Sequence, residues 1–209
     1  MTEILQGSPE WFAMRAGKVT GSMITAVMAA PSGKTEATTR RNYRYQLALE
    51  RITGIVHPTH ETWDMKQGKV NEPIARGTYE GETGQLVEEV PFVEHPTIEW
   101  VGASPDGRVP GGLVEIKCPK PAVHMDYILT EKIPYLYRAQ MCLQMMCTKE
   151  PWCDFVSYSP LMPEDLQYLC IRYYPEPKLV SDIEVKTVKF LAEVKGLVDD
   201  MNTMIKDRT

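Results

Sequence analysis

Hydrophobic positions recur with two different periods along the chain, and the changes of period mark out its elements. Ser8 is placed as the cap of a first helix with Pro9 at its first position, running through Trp11 and Met14 and stopping near Gly17. The glycine-flanked stretch Gly17–Ser22 leads into a second short helix that ends before Pro31. Helical spacing returns over Glu36–Ile52, with Arg40, Arg44 and Arg51 on one side, and over Asp64–Glu82, where Gly68, Glu72, Ala75 and Tyr79 lie three or four residues apart. Pro73 lacks a backbone donor, so a kink or bulge is expected there. Period-two patterning predicts strands at Leu86–Val93, Glu99–Ala103 and Leu113–Cys118, the last two as a hairpin through Pro110-Gly111-Gly112. Helices Ala122–Leu129 and Tyr135–Cys147 and strands Cys153–Ser159 and Gln167–Tyr174 follow. A closing helix opens on a capping box of Ser181 and Glu184 and repeats Ile183, Phe190, Val194, Leu197, Met201 and Met204 at helical spacing. The order of elements is that of an α/β or α+β fold in one domain, residues 1–209, without internal repeats.

Composition narrows the class. The 209 residues are 43% hydrophobic and 24% charged, the balance of a globular protein with its own core. No run of about 18 apolar residues suggests a transmembrane helix. Met1–Gly7 lacks a secretion pattern, so a cytoplasmic location is expected. Cys118, Cys142, Cys147, Cys153 and Cys170 are odd in number and form no CxxC pair, which disfavours a disulfide framework, a zinc site or an iron–sulfur cluster. Net charge is −5, yet seven bases face four acids from Met1 to Gly54, while eight acids face only Arg76 from Glu72 to Asp106. Such a chain can bind a polyanion if its bases line one surface and its acids hold metal ions.

The segment Ser104–Lys117, SPDGRVPGGLVEIK, carries the chemistry. Alternation in its strand puts Leu113, Glu115 and Lys117 on one face and Val114, Ile116 and Cys118 on the other. The apolar set is expected on the core, with the Glu–Lys pair facing a cleft and Asp106 brought beside Glu115 by a short turn. Two carboxylates at a sheet edge call for a neutralising cation. Asp106, Glu115 and the backbone carbonyl of Ile116 are hard oxygen donors suited to Mg2+ or Mn2+, and Lys117 can orient or deprotonate a water or offset charge on phosphate. The implied reaction is phosphodiester hydrolysis. The bare PD…ExK pattern is short, and a surface hairpin bearing a Glu–Lys pair satisfies it equally.

Four blocks in order add context: Gln6–Ser22, Gly68–Glu80, Ser104–Pro119 and Tyr137–Met145. In this order the chain resembles the phage lambda exonuclease family, the YqaJ-type viral recombinases of the PD-(D/E)xK nuclease superfamily. The resemblance implies a restriction-endonuclease-like core, a mixed central β-sheet flanked by helices. It makes Asp106, Glu115 and Lys117 the nuclease triad, with the Ile116 carbonyl on a metal. It makes Glu72 the acid that holds a metal-bound water or the nucleophile, Gln140 the glutamine bordering the site, and Arg15, Thr20 and Ser22 the 5′-phosphate pocket. It further implies 5′→3′ digestion of one strand of linear duplex DNA, two Mg2+ ions per site with Mn2+ as a substitute, a homotrimeric ring and a single-strand annealing partner. A ring would retain DNA topologically, which suits a mildly acidic chain.

Plainer readings stand beside these. Arg15 can pair with Glu10, Glu72 can be an exposed helical acid, Gln140 an ordinary helix residue, and the arginines near Arg40 either a solvated face or a phosphate contact. The histidines His57, His60, His95 and His124 show no ligand spacing, Met141, Met145 and Met146 fit a core, and Trp11 either anchors its helix or flanks a DNA end. Lys120 is a candidate backbone contact. The competing functions are a structure-specific or restriction-type endonuclease using the same site and a catalytically inactive DNA-end binding protein.

Overall fold

The computed structural model describes residues 6–31, 33, 35–56 and 63–208. The His57–His60 segment, Lys34 and the first five residues of the Met1–Gly7 stretch lie outside them. In chain order the elements are α1 (Pro9–Arg15), β1 (Val19–Thr20), α2 (Ile24–Met28), α3 (Thr38–Thr53), α4 (Trp63–Thr83), β2 (Val93–Glu94), β3 (Val101–Ala103), β4 (Gly107–Val109), β5 (Gly112–Lys117), α5 (Pro121–Thr130), α6 (Tyr135–Thr148), β6 (Cys153–Tyr158), β7 (Tyr168–Tyr173) and α7 (Pro177–Lys206). The expected α/β class holds. Among the described residues, no helix is long and apolar enough to cross a membrane.

The strands divide between two mixed sheets. One orders β1-β3-β2, with β1 parallel and β2 antiparallel to β3; the other orders β4-β5-β6-β7, with only β5 and β6 parallel. This corrects two expectations. The hairpin partner of β5 is the short β4, through a turn at Pro110-Gly111 where Gly111 adopts φ 80°, while residues 101–103 belong to the other sheet. Of the strand expected over Leu86–Val93, only its end is β2, and Glu88 makes an isolated bridge to Arg108.

Strand β5 is buried on both faces. Leu113 packs into the larger core with Phe155 and the α6 residues Met141, Leu143 and Met145, and Phe155 meets the rings of Tyr127 and Tyr137. Val114 and Ile116 face Ala75 and Tyr79 of α4 and Val156 of β6. Helices α5 and α6 therefore cover one face of the four-stranded sheet and α4 the other. Glu115 pairs in register with Phe155, so it points toward α6.

The closing helix starts four residues before the expected capping box. Its cap is Glu176 and Pro177 takes the first position, where a missing N–H is harmless, so Ser181 lies inside the helix. Ile183, Phe190 and Val194 are buried, as their spacing predicts, and so is Leu179, while Met201 and Met204 are exposed. All five cysteines are thiols, three of them buried. His124 is a core histidine bonded to Ser157 Oγ at 2.7 Å and to the Leu166 carbonyl at 2.9 Å.

Candidate active site

Three side chains from the start and end of the β4–β5 hairpin converge. Asp106 lies in the turn before β4, and its Oδ2 accepts the backbone N–H of Ile116 at 2.7 Å, which ties that turn to the middle of β5. Lys117 donates from Nζ to Glu115 Oε1, its neighbour on the same strand face, and lies 4.0 Å from Asp106 Oδ2. The expected juxtaposition of Asp106, Glu115 and Lys117 is present in the fold.

Burial differs from the expected open cleft. Glu115 is wholly inaccessible, sealed beneath α6. Gln140 donates from Nε2 to Glu115 Oε1 at 2.5 Å, and Gln144 donates from Nε2 to Oε2 at 2.6 Å. Burial, and next the nearby Asp106, push the Glu115 carboxyl up to about 7. Burial pulls the Lys117 ammonium down, but Glu115 and Asp106 outweigh it and leave Lys117 above its ordinary value. A surplus of negative charge is thus held in a dry place by one ammonium and two amides.

A cavity of about 490 Å³ opens in front of this group, within the size range of small-ligand sites. Glu72, Asp106, Ile116, Lys117 and Gln140 line it, and so do Trp11, Arg15, Ser22 and Ser104. Glu72 projects from α4 one turn before Arg76, which bonds it weakly at 3.5 Å and also reaches the Asp106 carbonyl at 3.4 Å. Burial and then Asp106 raise the Glu72 carboxyl.

Helix α1 brings Trp11 and Arg15 to the cavity. Its N-cap Ser8 accepts the Trp11 N–H, and the helical turn sets Trp11 and Arg15 on one side, the guanidinium 4.1 Å from the indole centroid. Ser104 Oγ accepts from Trp11 Nε1 at 3.0 Å and from Arg15 Nη1 at 3.4 Å, leaving its own hydroxyl hydrogen to give. Arg15 therefore pairs with Ser104 and Trp11 rather than with Glu10. Burial lowers the Arg15 pKa, yet a guanidinium stays charged. Thr20 sits elsewhere: it is 5% exposed in β1, its N–H donates to the Tyr43 hydroxyl at 3.1 Å, and it is absent from the cavity wall.

Sequence reading missed Ser104 and Gln144. Ser104 stands two residues before Asp106, and Gln144 one helical turn after Gln140, so both periodicities carried a signal. Three of the four arginines of α3 are committed internally. Arg40 and Arg44 each bond both Glu36 and Glu193, and Arg51 donates to the Gly17 carbonyl and lies 4.2 Å from the Trp100 ring centroid.

Among the described residues, no three histidine, cysteine, aspartate or glutamate side chains cluster closely enough to hold a metal alone. Two carboxylates, Glu72 and Asp106, line the open cavity with Glu115 buried behind them, and hard oxygen donors of this kind would suit Mg2+, which keeps several waters and shares substrate phosphate oxygens.

Similarity to known proteins agrees with this geometry. The profile of the YqaJ-like viral recombinase domain matches residues 10–151. No curated protein matches the chain by sequence. An alkaline exonuclease from Laribacter hongkongensis, LHK-Exo, is 41% identical, with a TM-score of 0.88 over 97% of this chain and 100% of that one. LHK-Exo in complex with dAMP gives a TM-score of 0.89 at the same identity and coverage. A phage-related exonuclease from Haemophilus somnus 129PT shares the fold at 14% identity, with a TM-score of 0.73 over 88% of this chain and 96% of that one. The ordered motifs, the matched domain and a 41%-identical relative along nearly the whole length agree: the chain belongs to the YqaJ-like viral recombinase family.

Proposed function

We propose that the protein is a magnesium-dependent 5′→3′ exonuclease that enters linear double-stranded DNA at a 5′-phosphorylated end and leaves 3′ single-stranded DNA for recombination. The observation that supports this most is one cavity lined both by Asp106, Glu72 and Lys117 and by Arg15, Ser22 and Ser104. By family likeness the proposal extends to a homotrimeric ring, a single-strand annealing partner and the cytoplasm of a bacterial or phage-infected cell. The relative's dAMP has the form of one product nucleotide.

Asp106, Glu115 and the Ile116 carbonyl would hold the ions, with Glu72 bound through water and Mn2+ able to substitute. Mg2+, when bound, acidifies a coordinated water and neutralises charge on phosphate oxygens. The chain does the rest. Arg15 offers two parallel donors to a terminal phosphate, and the Ser22 and Ser104 hydroxyls add neutral ones. A terminal phosphate carries more negative charge than an internal diester, so these donors favour ends. Lys117 faces negative charge as it builds on the scissile phosphate. Glu72, with its raised affinity for protons, accepts one from the attacking water. Water adds to phosphorus, the bond to the 3′ oxygen breaks, and that oxygen is protonated. The shortened strand keeps a 5′-phosphate and is again a substrate.

The test uses linear duplexes with a 5′-phosphate on one strand and a 5′-hydroxyl on the other, in Mg2+ or chelator. Selective loss of the phosphorylated strand from its 5′ end, only with Mg2+, is expected. Equal loss of both strands, digestion in chelator, or cleavage of covalently closed circles would overturn the proposal.

A further inference from the structure

We propose that Gln144 is a positioning residue for hydrolysis: it fixes the plane of the Glu115 carboxylate for cation binding, and its amide serves that task rather than the fold. The inference rests on the divalent-ion reading of the site.

Gln144 is fully buried in α6, one turn beyond Gln140. The two amides grip different oxygens of one carboxylate, Gln140 on Oε1 and Gln144 on Oε2. Successive turns of a helix are rigidly spaced, so the carboxylate cannot rotate about its last bond without losing one of these contacts. Oε1 also accepts from Lys117, whereas among the described contacts Oε2 accepts from Gln144 alone and so keeps another lone-pair direction for a cation.

The other end of the same amide carries the argument further. Gln144 Oε1 is buried and has no hydrogen-bond partner in the protein. Turning the amide over would bring this acceptor against Glu115 Oε2 at the same short separation, acceptor facing acceptor. The orientation of the group is therefore dictated by Glu115 alone. A buried acceptor without a partner is destabilising, and a thioether of similar length would fill the space without one. A residue present only for packing gains nothing from an amide here.

The experiment titrates the full-length, metal-free protein with Mn2+ in the absence of DNA, comparing wild type with Gln144→Met and Gln144→Asn, and records melting in chelator. Gln144→Met removes the donor at similar volume, and Gln144→Asn keeps an amide that falls one methylene short. Partners that orient a metal ligand typically change affinity by about 10–100-fold when removed. A loss of that size is expected in both variants, with melting in chelator within a few degrees of wild type and turnover recovering at saturating Mn2+. A folded variant that binds Mn2+ like wild type overturns the proposal. So does failure of both variants to fold, which would make Gln144 structural. Wild-type protein that binds no Mn2+ overturns the divalent-ion reading itself, a result distinguishable from the others.

Discussion

Lys117 and Glu115 form an ion pair on one face of a strand whose acid is completely buried and whose base reaches the cavity. The base is the only cationic group bonded to that acid among the described contacts; the remaining bonds come from amides. Lys117→Ala therefore removes both the charge that faces the substrate phosphate and the counter-charge of Glu115. Turnover should fall at least about 100-fold, the low end for loss of a group that stabilises transition-state charge. End binding should persist, because Arg15, Ser22 and Ser104 are untouched. Single-turnover digestion together with binding of a 5′-phosphorylated duplex in Ca2+ separates the two effects; retained turnover refutes the assignment.

Arg15 is held by Trp11 and Ser104 with its guanidinium at the cavity wall. Hydrogen bonds to a charged group are worth about 1.5–3 kcal/mol each, or roughly 10–150-fold. Arg15→Ala should reduce the preference for 5′-phosphate over 5′-hydroxyl by that factor, through slower cutting of the phosphorylated end alone. Ser104→Ala should act in the same direction by a smaller amount. Initial rates on the paired duplexes measure the ratio, and a ratio unchanged in Arg15→Ala would place end recognition elsewhere.

Local rules made most of this readable. Pro9 at a helix start, the alternation of β5 and the spacing of α6 follow from backbone sterics and period alone. The misplacements share a cause, since partners distant in sequence decided them. β4 is three residues long, too short for any periodicity, and its existence depends on pairing with β5. Residues 101–103 read as a hairpin arm but are claimed by β1, more than eighty residues earlier in the chain. Of the proposed phosphate contacts, Arg15 and Ser22 were legible in a motif, whereas Thr20 is buried in β1 with its N–H on the Tyr43 hydroxyl. The burial of Glu115 was not legible, because a strand pattern tells which residues share a face but not how thick a layer covers it.

Glu115 links the site to the pH dependence of stability. An ordinary glutamate titrates near 4.5, while in the folded protein this one titrates at about 7. The folded state thus binds the proton more tightly, so the contribution is complete below the unfolded value and is lost as pH rises through about 7. Burial and Asp106 raise Glu72 as well, which acts in the same direction. Lys117 is raised too, but its contribution fades only above its ordinary value of 10.5, outside this window. The metal-free protein should melt at lower temperature at pH 8 than at pH 5.5, and Glu115→Gln should flatten that slope. Mg2+, binding the ionised form, should restore stability at pH 8. Calorimetric melting over this range, with and without Mg2+, decides it; a slope unaffected by Glu115→Gln would show that the acid is not the group responsible.

Glu193 of α7 closes a ring with Glu36 and two arginines of α3: it accepts from Arg40 at 2.8 and 3.0 Å and from Arg44 at 2.9 Å. Hydrogen bonds from Arg40, first among several causes, depress the Glu193 carboxyl. All three side chains are largely shielded from solvent, so the network is worth more than a lone surface pair. Glu193→Ala leaves Arg40 and Arg44 sharing Glu36 alone and loosens α7 from α3. A loss of about 1–2 kcal/mol is expected, a fall in melting temperature of roughly 3–6 °C for a chain of this size. If these arginines serve the fold rather than DNA, Mg2+-dependent digestion at a temperature well below melting should proceed at the wild-type rate. A slower rate with unchanged melting would reverse the assignment and make the α3–α7 groove part of the DNA path.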